Sequence, residues 1–288
     1  MKVLVTGGSG LAGRHITPLL LDAGHEVVSV DTRPPDGGFP GAAHPAGARY
    51  VQVDTTDFGQ VVAVTSGVDA VVHLAAIPNP LWRPEHEVFR INILSSWNVL
   101  EAAEVHGVPK VVMASSVNAI GASFWERQPR EYFPFDEQLP TKATDAYAQS
   151  KWLGEEMGQA FCRRRPMQVA SLRYHGLWPR ERQAAWNASA EKDSQDAERY
   201  ARNYWSWVDL DEAALAAVLA VENDWAGHEA FFIQADDSVA TTPTEELLDR
   251  WYPEAERKAR IAGFGSPISN EKAKRVLGWV PAVTWRDA

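Results

Sequence analysis

The stretch VLVTGGSGLAGRHI, residues 3–16, runs from a β-branched segment directly into glycines and then into an amphipathic run. Gly7, Gly10 and Gly13 stand three apart, between an expected first strand and first helix. Such a turn brings backbone close to a pyrophosphate, and the helix N-terminus adds unpaired N–H groups and a favourable dipole. A tight strand-to-helix turn with no ligand is the plainer alternative. Either way, the chain is committed to an α/β fold that begins with a buried strand.

The next 160 or so residues repeat that alternation, the pattern of a parallel sheet covered by helices. Strands are expected at Lys2 to Thr6, Glu26 to Val30, Arg49 to Val53, Ala70 to Leu74, Lys110 to Ala114 and Gln168 to Leu172. Several are nearly all apolar, as strands covered on both faces should be. Helices fit Leu11 to Ala23, Phe58 to Ser66, Glu85 to His106 and Ala146 to Arg164. A doubly wound α/β sheet is therefore expected over residues 1–175. Residues 176–288 are expected to form mainly a small substrate lobe, with some segments returning to the sheet.

Two regions break the pattern. TRPPDGGFPGAAHPAGA, after the second strand, is too rich in Pro and Gly for regular structure and should be a surface excursion. PRERQAAWNASAEKDSQDAERYARNYW is charged and aromatic with few aliphatics, so it reads as a lobe or lid. Later helix starts are expected at Asp209 with Glu212, at Thr242 with Pro243 and Glu245, and at Ser269, whose helix stops at Gly278.

Charge and composition remove several classes of function. The net charge of −10, with no Lys/Arg run, argues against nucleic acid or an anionic membrane as partner. No stretch approaches the ~18 apolar residues of a membrane span, and no signal peptide is expected. Cys162 is the one cysteine, so no intrachain disulfide forms and a cytoplasmic home is expected. Nothing in the pattern calls for a metal.

A dinucleotide would meet further residues beyond the glycines. Asp31 closes the second strand eighteen residues past Gly13, where a carboxylate accepts from an adenosine ribose and repels a 2′-phosphate. Arg33, just beyond, would instead favour that phosphate; with Asp31 at the strand end repelling it, NAD is still expected over NADP on charge grounds. Asp31 as a simple loop cap is the alternative. Asp54 is placed to accept from an adenine amine, whereas Asp57 reads as a helix cap.

The stretch DAYAQSKWLG, residues 145–154, places Tyr147 and Lys151 four apart on one helix face. Alone, that spacing permits chemistry without requiring it.

Taken together, TGGSGLAG, VDTTD, HLAA, SSVNAIG, YAQSK and LGWVP, in this order and at these separations, resemble the extended short-chain dehydrogenase/reductases, the NAD-dependent epimerase/dehydratase family. The resemblance implies a Rossmann-type sheet, NAD as cofactor and a homodimer. It also implies Ser116, Tyr147 and Lys151 as catalytic residues, Ser116 being chosen over Ser115 by its distance from Gly121. The cofactor would lie against Gly7, Gly10, Leu11, Gly13, Asp31, Arg33, Asp54, Leu74, Ala75, Ala76 and Asn92, with Tyr147 and Lys151. For Asn92, a tie between helix and neighbouring backbone is the alternative role.

The same resemblance implies a sugar or nucleotide-sugar substrate that exchanges hydride with the nicotinamide. A dehydrogenase would release reduced cofactor, whereas an epimerase or dehydratase would return the hydride. A redox sensor that binds NAD(P) without catalysis is the alternative from another class, and the presence of both Tyr147 and Lys151 argues against it. SSVNAIG resembles the SSNHxIG pattern of uronate dehydrogenases, with Val117 and Asn118 in place of asparagine and histidine. Ser116, Asn118 and Arg202 are accordingly the expected substrate contacts. Arg202, five residues before Trp207, suits a carboxylate, a phosphate or a salt bridge equally. Trp82, Trp178, Trp186 and Trp205 fall near the expected cleft, where stacking on sugar and ordinary packing are both open to them.

Overall fold

The computed structural model describes residues 1–34, 47–122, 124, 126–189 and 198–288. Most of the Pro/Gly-rich excursion and the centre of the charged segment lie outside the described residues. Seven strands form one parallel sheet: β1 (Lys2–Thr6), β2 (Glu26–Asp31), β3 (Arg49–Gln52), β4 (Ala70–His73), β5 (Lys110–Ser116), β7 (Gln168–Tyr174) and β10 (His228–Ile233). Their spatial order is β3-β2-β1-β4-β5-β7-β10. The order reverses between β1 and β4, so a crevice forms past their carboxyl ends, where ligands bind in such sheets. Between β5 and β7 lies the two-residue strand β6 (Tyr132–Phe133), which pairs with β11 (Glu256–Arg257) outside the main sheet.

Burial explains the apolar strands. All four residues of β4 are buried, and β1 is buried from Val3 onward. One face carries α1 (Leu11–Asp22) and α7 (Leu210–Glu222); the other carries α2 (Phe58–Thr65), α3 (Glu85–His106) and α4 (Ala146–Arg164). A third, largely aromatic core built on Phe133, Phe135, Tyr204, Trp205, Trp207 and Tyr252 lies beyond the sheet rim. It packs α5 (Arg180–Ala188), α6 (Glu198–Ala201) and α8 (Thr244–Trp251) around the short parallel pair β8 (Leu177–Trp178) and β9 (Val208–Asp209).

The expected doubly wound sheet is present, and α3 and α4 occupy the expected residues. Three corrections concern the elements. β10 is a strand outside the expected set: its HEAFFI run opens with the polar pair His228 and Glu229, leaving only a short apolar stretch after the turn that ends at Gly227. α8 begins at Thr244 with Pro243 at the cap position and no side-chain cap, so Thr242 does not start it. The Thr244 hydroxyl donates to Gly265 O at 2.7 Å, tying the helix start to the lobe instead. The last helix, α9 (Glu271–Leu277), is preceded by Asn270 rather than Ser269, although Gly278 does close it at φ 66°. The Asn270 amide donates to Gln234 O and Asp236 Oδ1, a tertiary demand that local capping patterns do not reveal.

Candidate active site

The glycine loop is shaped by close contacts. Gly7 has φ +70°, and a Cβ there would lie 2.7 Å from Ala75 N. A Cβ on Gly13 would lie 2.5 Å from Gly7 O, and one on Gly8 would lie 2.0 Å from Ser29 Oγ. Gly8 thus belongs to the set although the three-and-three spacing skips it. Gly10 is less confined, since its Cβ would meet only Gly7 O at 3.1 Å. As the N-cap of α1 it offers no side-chain bond, leaving the first-turn N–H groups for an anion. Leu11, 55% exposed, is a large apolar side chain at the loop mouth. A glycine cradle that side chains would fill, ending in an uncapped helix, fits a dinucleotide pyrophosphate.

The flanking carboxylates divide their work. Asp31 Oδ2 accepts from Ser9 N at 3.1 Å, and Ser9 Oγ donates to Arg33 O at 2.7 Å, so the end of β2 is laced to the loop. Asp54 Oδ1 accepts from Thr56 N and Oγ1 at 2.9 and 2.7 Å, which fixes the turn after β3. Asp57 caps α2 through Gln60 N at 3.1 Å, as expected. Leu74 and Ala75 donate their N–H groups to Thr6 Oγ1, bringing the HLAA backbone against Gly7. Asn92 accepts from Ile77 N at 2.8 Å and donates to Ile77 O and Ser150 Oγ. Its polar atoms therefore join the loop past Ala76 to the helix that bears Tyr147.

Gly13→Ala should report on this packing. The new methyl would drive against Gly7 and Gly8 backbone, costing about 1–3 kcal/mol. Urea unfolding and NAD titration are expected to show a lower midpoint and at least ~10-fold weaker NAD binding, since the displaced loop is the one that meets the phosphates.

β5 runs two residues past its expected end, so Ser116 is the last strand residue, and the 3-10 turn Val117–Ile120 follows. Ser116 Oγ accepts from Asn118 N at 3.1 Å, and the Ser116 side chain stands near enough to the Tyr147 hydroxyl to favour its ionised form. Tyr147 lies in the first turn of α4, which Asp145 caps through Ala148 N at 2.8 Å. Lys151, one turn on, donates from Nζ to Ala114 O at 2.6 Å and sits 5.8 Å from the Tyr147 ring centroid. The three groups expected to react are thus brought together.

Burial controls their protonation. It pushes the Tyr147 hydroxyl up to about 12; the nearby Ser116 hydroxyl opposes the shift and the Asp145 charge adds to it. It pushes Lys151 down to about 8, against the pull of Glu155. At neutral pH the pair is a phenol beside an ammonium. His73, bonded to Thr6 Oγ1 at 2.8 Å, is pushed down to about 3 by burial and by Lys151, so it stays neutral. Below the pair, Glu155 is held by Arg173 through two bonds of 3.0 and 2.8 Å and by Ser115 Oγ at 2.5 Å. Sequence reasoning missed this buried triad, although Glu155 stands one turn past Lys151.

Asn118 is buried with both amide atoms unpartnered, and Tyr174, the sheet partner of Ser116, buries its hydroxyl the same way. The lobe holds a cavity of about 380 Å³ whose wall includes His175, Trp178, Trp186 and Asn203; Arg202 is half-buried and lies off that wall. Trp178 and Trp186 line that cavity, Trp205 is fully buried in the aromatic core, and Trp82 is 70% exposed.

Comparison with known proteins agrees with this geometry. The model of the NAD dependent epimerase/dehydratase family matches residues 3–230. A UDP-glucose 4-epimerase of Corynebacterium glutamicum is 29% identical over 317 residues, covering 99% of this chain and 92% of that protein. A uronate dehydrogenase of Agrobacterium fabrum is 31% identical over 133 residues, 45% of this chain and 46% of its own. The solved structure of a short-chain dehydrogenase/reductase superfamily protein from Agrobacterium tumefaciens, with bound NAD, shares the fold at a TM-score of 0.73. That likeness has 22% identity and covers 99% of this chain and 94% of the other. A match over most of the length, on a doubly wound sheet with the glycine cradle at its switch point, places the chain in the NAD-dependent epimerase/dehydratase family.

Proposed function

We propose that the protein is an NAD-dependent, sugar-modifying enzyme in which Ser116, Tyr147 and Lys151 handle the proton of a sugar carbinol. The observation that carries this is the Tyr147 hydroxyl beside Ser116, with the Lys151 ammonium one helical turn away and 5.8 Å from the Tyr147 ring centroid. NAD, when bound, supplies the hydride acceptor. Gly7, Gly10, Gly13 and the N–H groups at Leu11 would hold its pyrophosphate, with Asp31 at the adenosine ribose and Lys151 at the nicotinamide ribose.

Each residue has a distinct task. Ser116, steadied by Asn118 N, hydrogen-bonds the reacting oxygen and holds it toward Tyr147. Tyr147 takes the carbinol proton as hydride leaves, and returns one in the reverse direction. Lys151 makes the phenolate accessible by placing a positive charge beside it. Residues 176–288 supply the substrate lobe, apart from the segments that complete the sheet. Leu94 and Trp97, apolar and partly exposed on α3, support a homodimer formed through that helix and α4. No helix among the described residues is long and apolar enough to cross a membrane, and we place the enzyme in the cytoplasm.

Two net reactions fit the family. Similarity to a UDP-glucose 4-epimerase over 99% of the chain favours return of the hydride; the uronate dehydrogenase likeness favours its release. Incubation with NAD and a panel of uronic acids, aldoses and UDP-sugars separates them. Accumulating reduced nicotinamide identifies a dehydrogenase, and a new sugar by NMR without it identifies an epimerase or dehydratase. No turnover of any panel member would count against the proposal.

A further inference from the structure

Lys151 is a largely buried cation with no carboxylate against it. Its Nζ donates to Ala114 O at 2.6 Å, and among the described residues no acidic oxygen forms an ion pair with it. A main-chain carbonyl carries only a partial charge, so the full charge that supports this ammonium acts from further off.

Glu155 stands four residues on along α4, on the same face, where helical geometry puts the two Cβ atoms about 6 Å apart. Its carboxylate is 5% exposed and cannot swing. Arg173 grips it from β7 through Nε at 3.0 Å and Nη2 at 2.8 Å, and the Ser115 hydroxyl donates to it at 2.5 Å. Ser115 and Arg173 are register partners on neighbouring strands, so one position of the sheet aims both donors at the helix. Ser115 also lies between Ala114, which holds Lys151, and Ser116, beside Tyr147. Successive turns of α4 are thus fastened to three consecutive residues of β5.

The other titratable groups around the pair do not supply that charge. Tyr147 on α4 and His73 on β4 both stay neutral at pH 7. His228 on β10 bonds Ser171 Oγ at 2.9 Å and is pushed down by burial. Asp145, at the start of α4, acts on Tyr147, while Glu137 acts on Arg173 and Lys272 on His228. Among the described residues, the anion acting on Lys151 is Glu155.

We infer that Glu155 is a positioning residue for the reaction: fixed by Arg173 and Ser115, it is the counter-charge that keeps Lys151 an ammonium beside Tyr147. This rests on the proposed role of Lys151 and adds what sets the pH range of that role. Arg173 shares the charge of the carboxylate, so the two partners should act on Lys151 in opposite directions. Without the carboxylate, Lys151 faces an unopposed guanidinium; without the guanidinium, the carboxylate turns its whole charge on Lys151. A pair that only braced the fold would show no such opposition.

NMR titration of the full chain carrying isotope-labelled lysine tests it, without and with NAD, Lys151→Met assigning the resonance. The Lys151 midpoint, about 8 in wild type, should fall to about 7 in Glu155→Gln, tenfold in the proton equilibrium, and should rise in Arg173→Gln. Glu156→Gln removes the neighbouring exposed carboxylate and should leave the midpoint in place. Breaking a buried pair costs stability, so Glu155→Gln/Arg173→Met, which orphans no charge, should repeat the downward shift if a single variant fails to fold. Turnover by Glu155→Gln should drop ~10-fold near pH 9 and less than about twofold near pH 6. A midpoint unmoved in Glu155→Gln, or moved the same way in both single variants, overturns the inference. A midpoint that shifts as expected, with no turnover or with the pH profile of turnover unchanged, keeps the counter-charge and sinks the proposed part of Lys151 in the reaction.

Discussion

Tyr147→Phe is expected to lower turnover by ~10³-fold or more while leaving NAD affinity within about threefold. The substitution removes one oxygen from a buried side chain whose hydroxyl lies beside Ser116 and whose ring meets Phe124 edge-on, at a centroid separation of 6.2 Å. The ring and its packing stay, so the loss should fall on the chemical step and not on folding. General acid/base groups typically contribute ~10²–10⁴-fold. The upper part of that range applies here, because His73 is buried and neutral and, among the described residues, no other titrating side chain bonds Ser116. Steady-state kinetics should show kcat and kcat/KM falling together, the mark of an interaction made in the transition state. A matching fall in NAD affinity would instead mean that the ring holds the cofactor.

Lys151→Met should divide activity from stability. With the ammonium 5.8 Å from the ring centroid, an effective dielectric of about 20 gives roughly 3 kcal/mol of attraction for a phenolate. Losing it leaves about a hundredfold less phenolate, and turnover near neutral pH should fall ~10²–10³-fold once the lost ribose contact is included. Stability should move the other way. Lys151 drops from 10.5 to about 8 on folding, so between those values the unfolded chain binds more protons and stability rises with pH. Below about 8 the whole cost of burying the charge is present. Lys151 keeps some solvent contact, and its bond to Ala114 O is lost with it, so the net gain from methionine is held to about 2 kcal/mol near pH 7. Urea unfolding should find Lys151→Met more stable than wild type at pH 7, with the difference gone by about pH 10.5. A variant less stable at pH 7 would show that the ammonium bond outweighs its desolvation.

How far the sequence reveals this molecule depends on how local each determinant is. β1, α3 and α4 follow from period and caps, and the glycine loop from spacing, because each is set within one turn of chain. Gly8 escaped that spacing because its constraint is Ser29, on the neighbouring strand. β10 and the starts of α8 and α9 depend on partners such as Gly265, Gln234 and Asp236, far away in sequence. Ser116, Tyr147 and Lys151 were legible through motif order, and the sheet and α4 do bring them together. The lobe cavity was not legible. Asn203 and Ser206 both line it only because an aromatic core holds Tyr204 and Trp205, between them, in a left-handed turn at φ of 60° and 50°, and neither spacing nor composition encodes that.

In the proposed mechanism Tyr147, beside Ser116 and facing the Lys151 ammonium, moves the substrate proton as hydride reaches the nicotinamide. Rapid mixing of the NAD-loaded protein with the best sugar of the panel tests it most directly, by following reduced-nicotinamide absorbance in the first turnover. A dehydrogenase and an epimerase share that half-reaction, so the result does not depend on which net reaction holds. Wild type should give a burst whose rate increases with pH below about 8, where Lys151 is still charged and phenolate becomes more frequent, and Tyr147→Phe should give none. A burst of the same size and rate in Tyr147→Phe would contradict the mechanism.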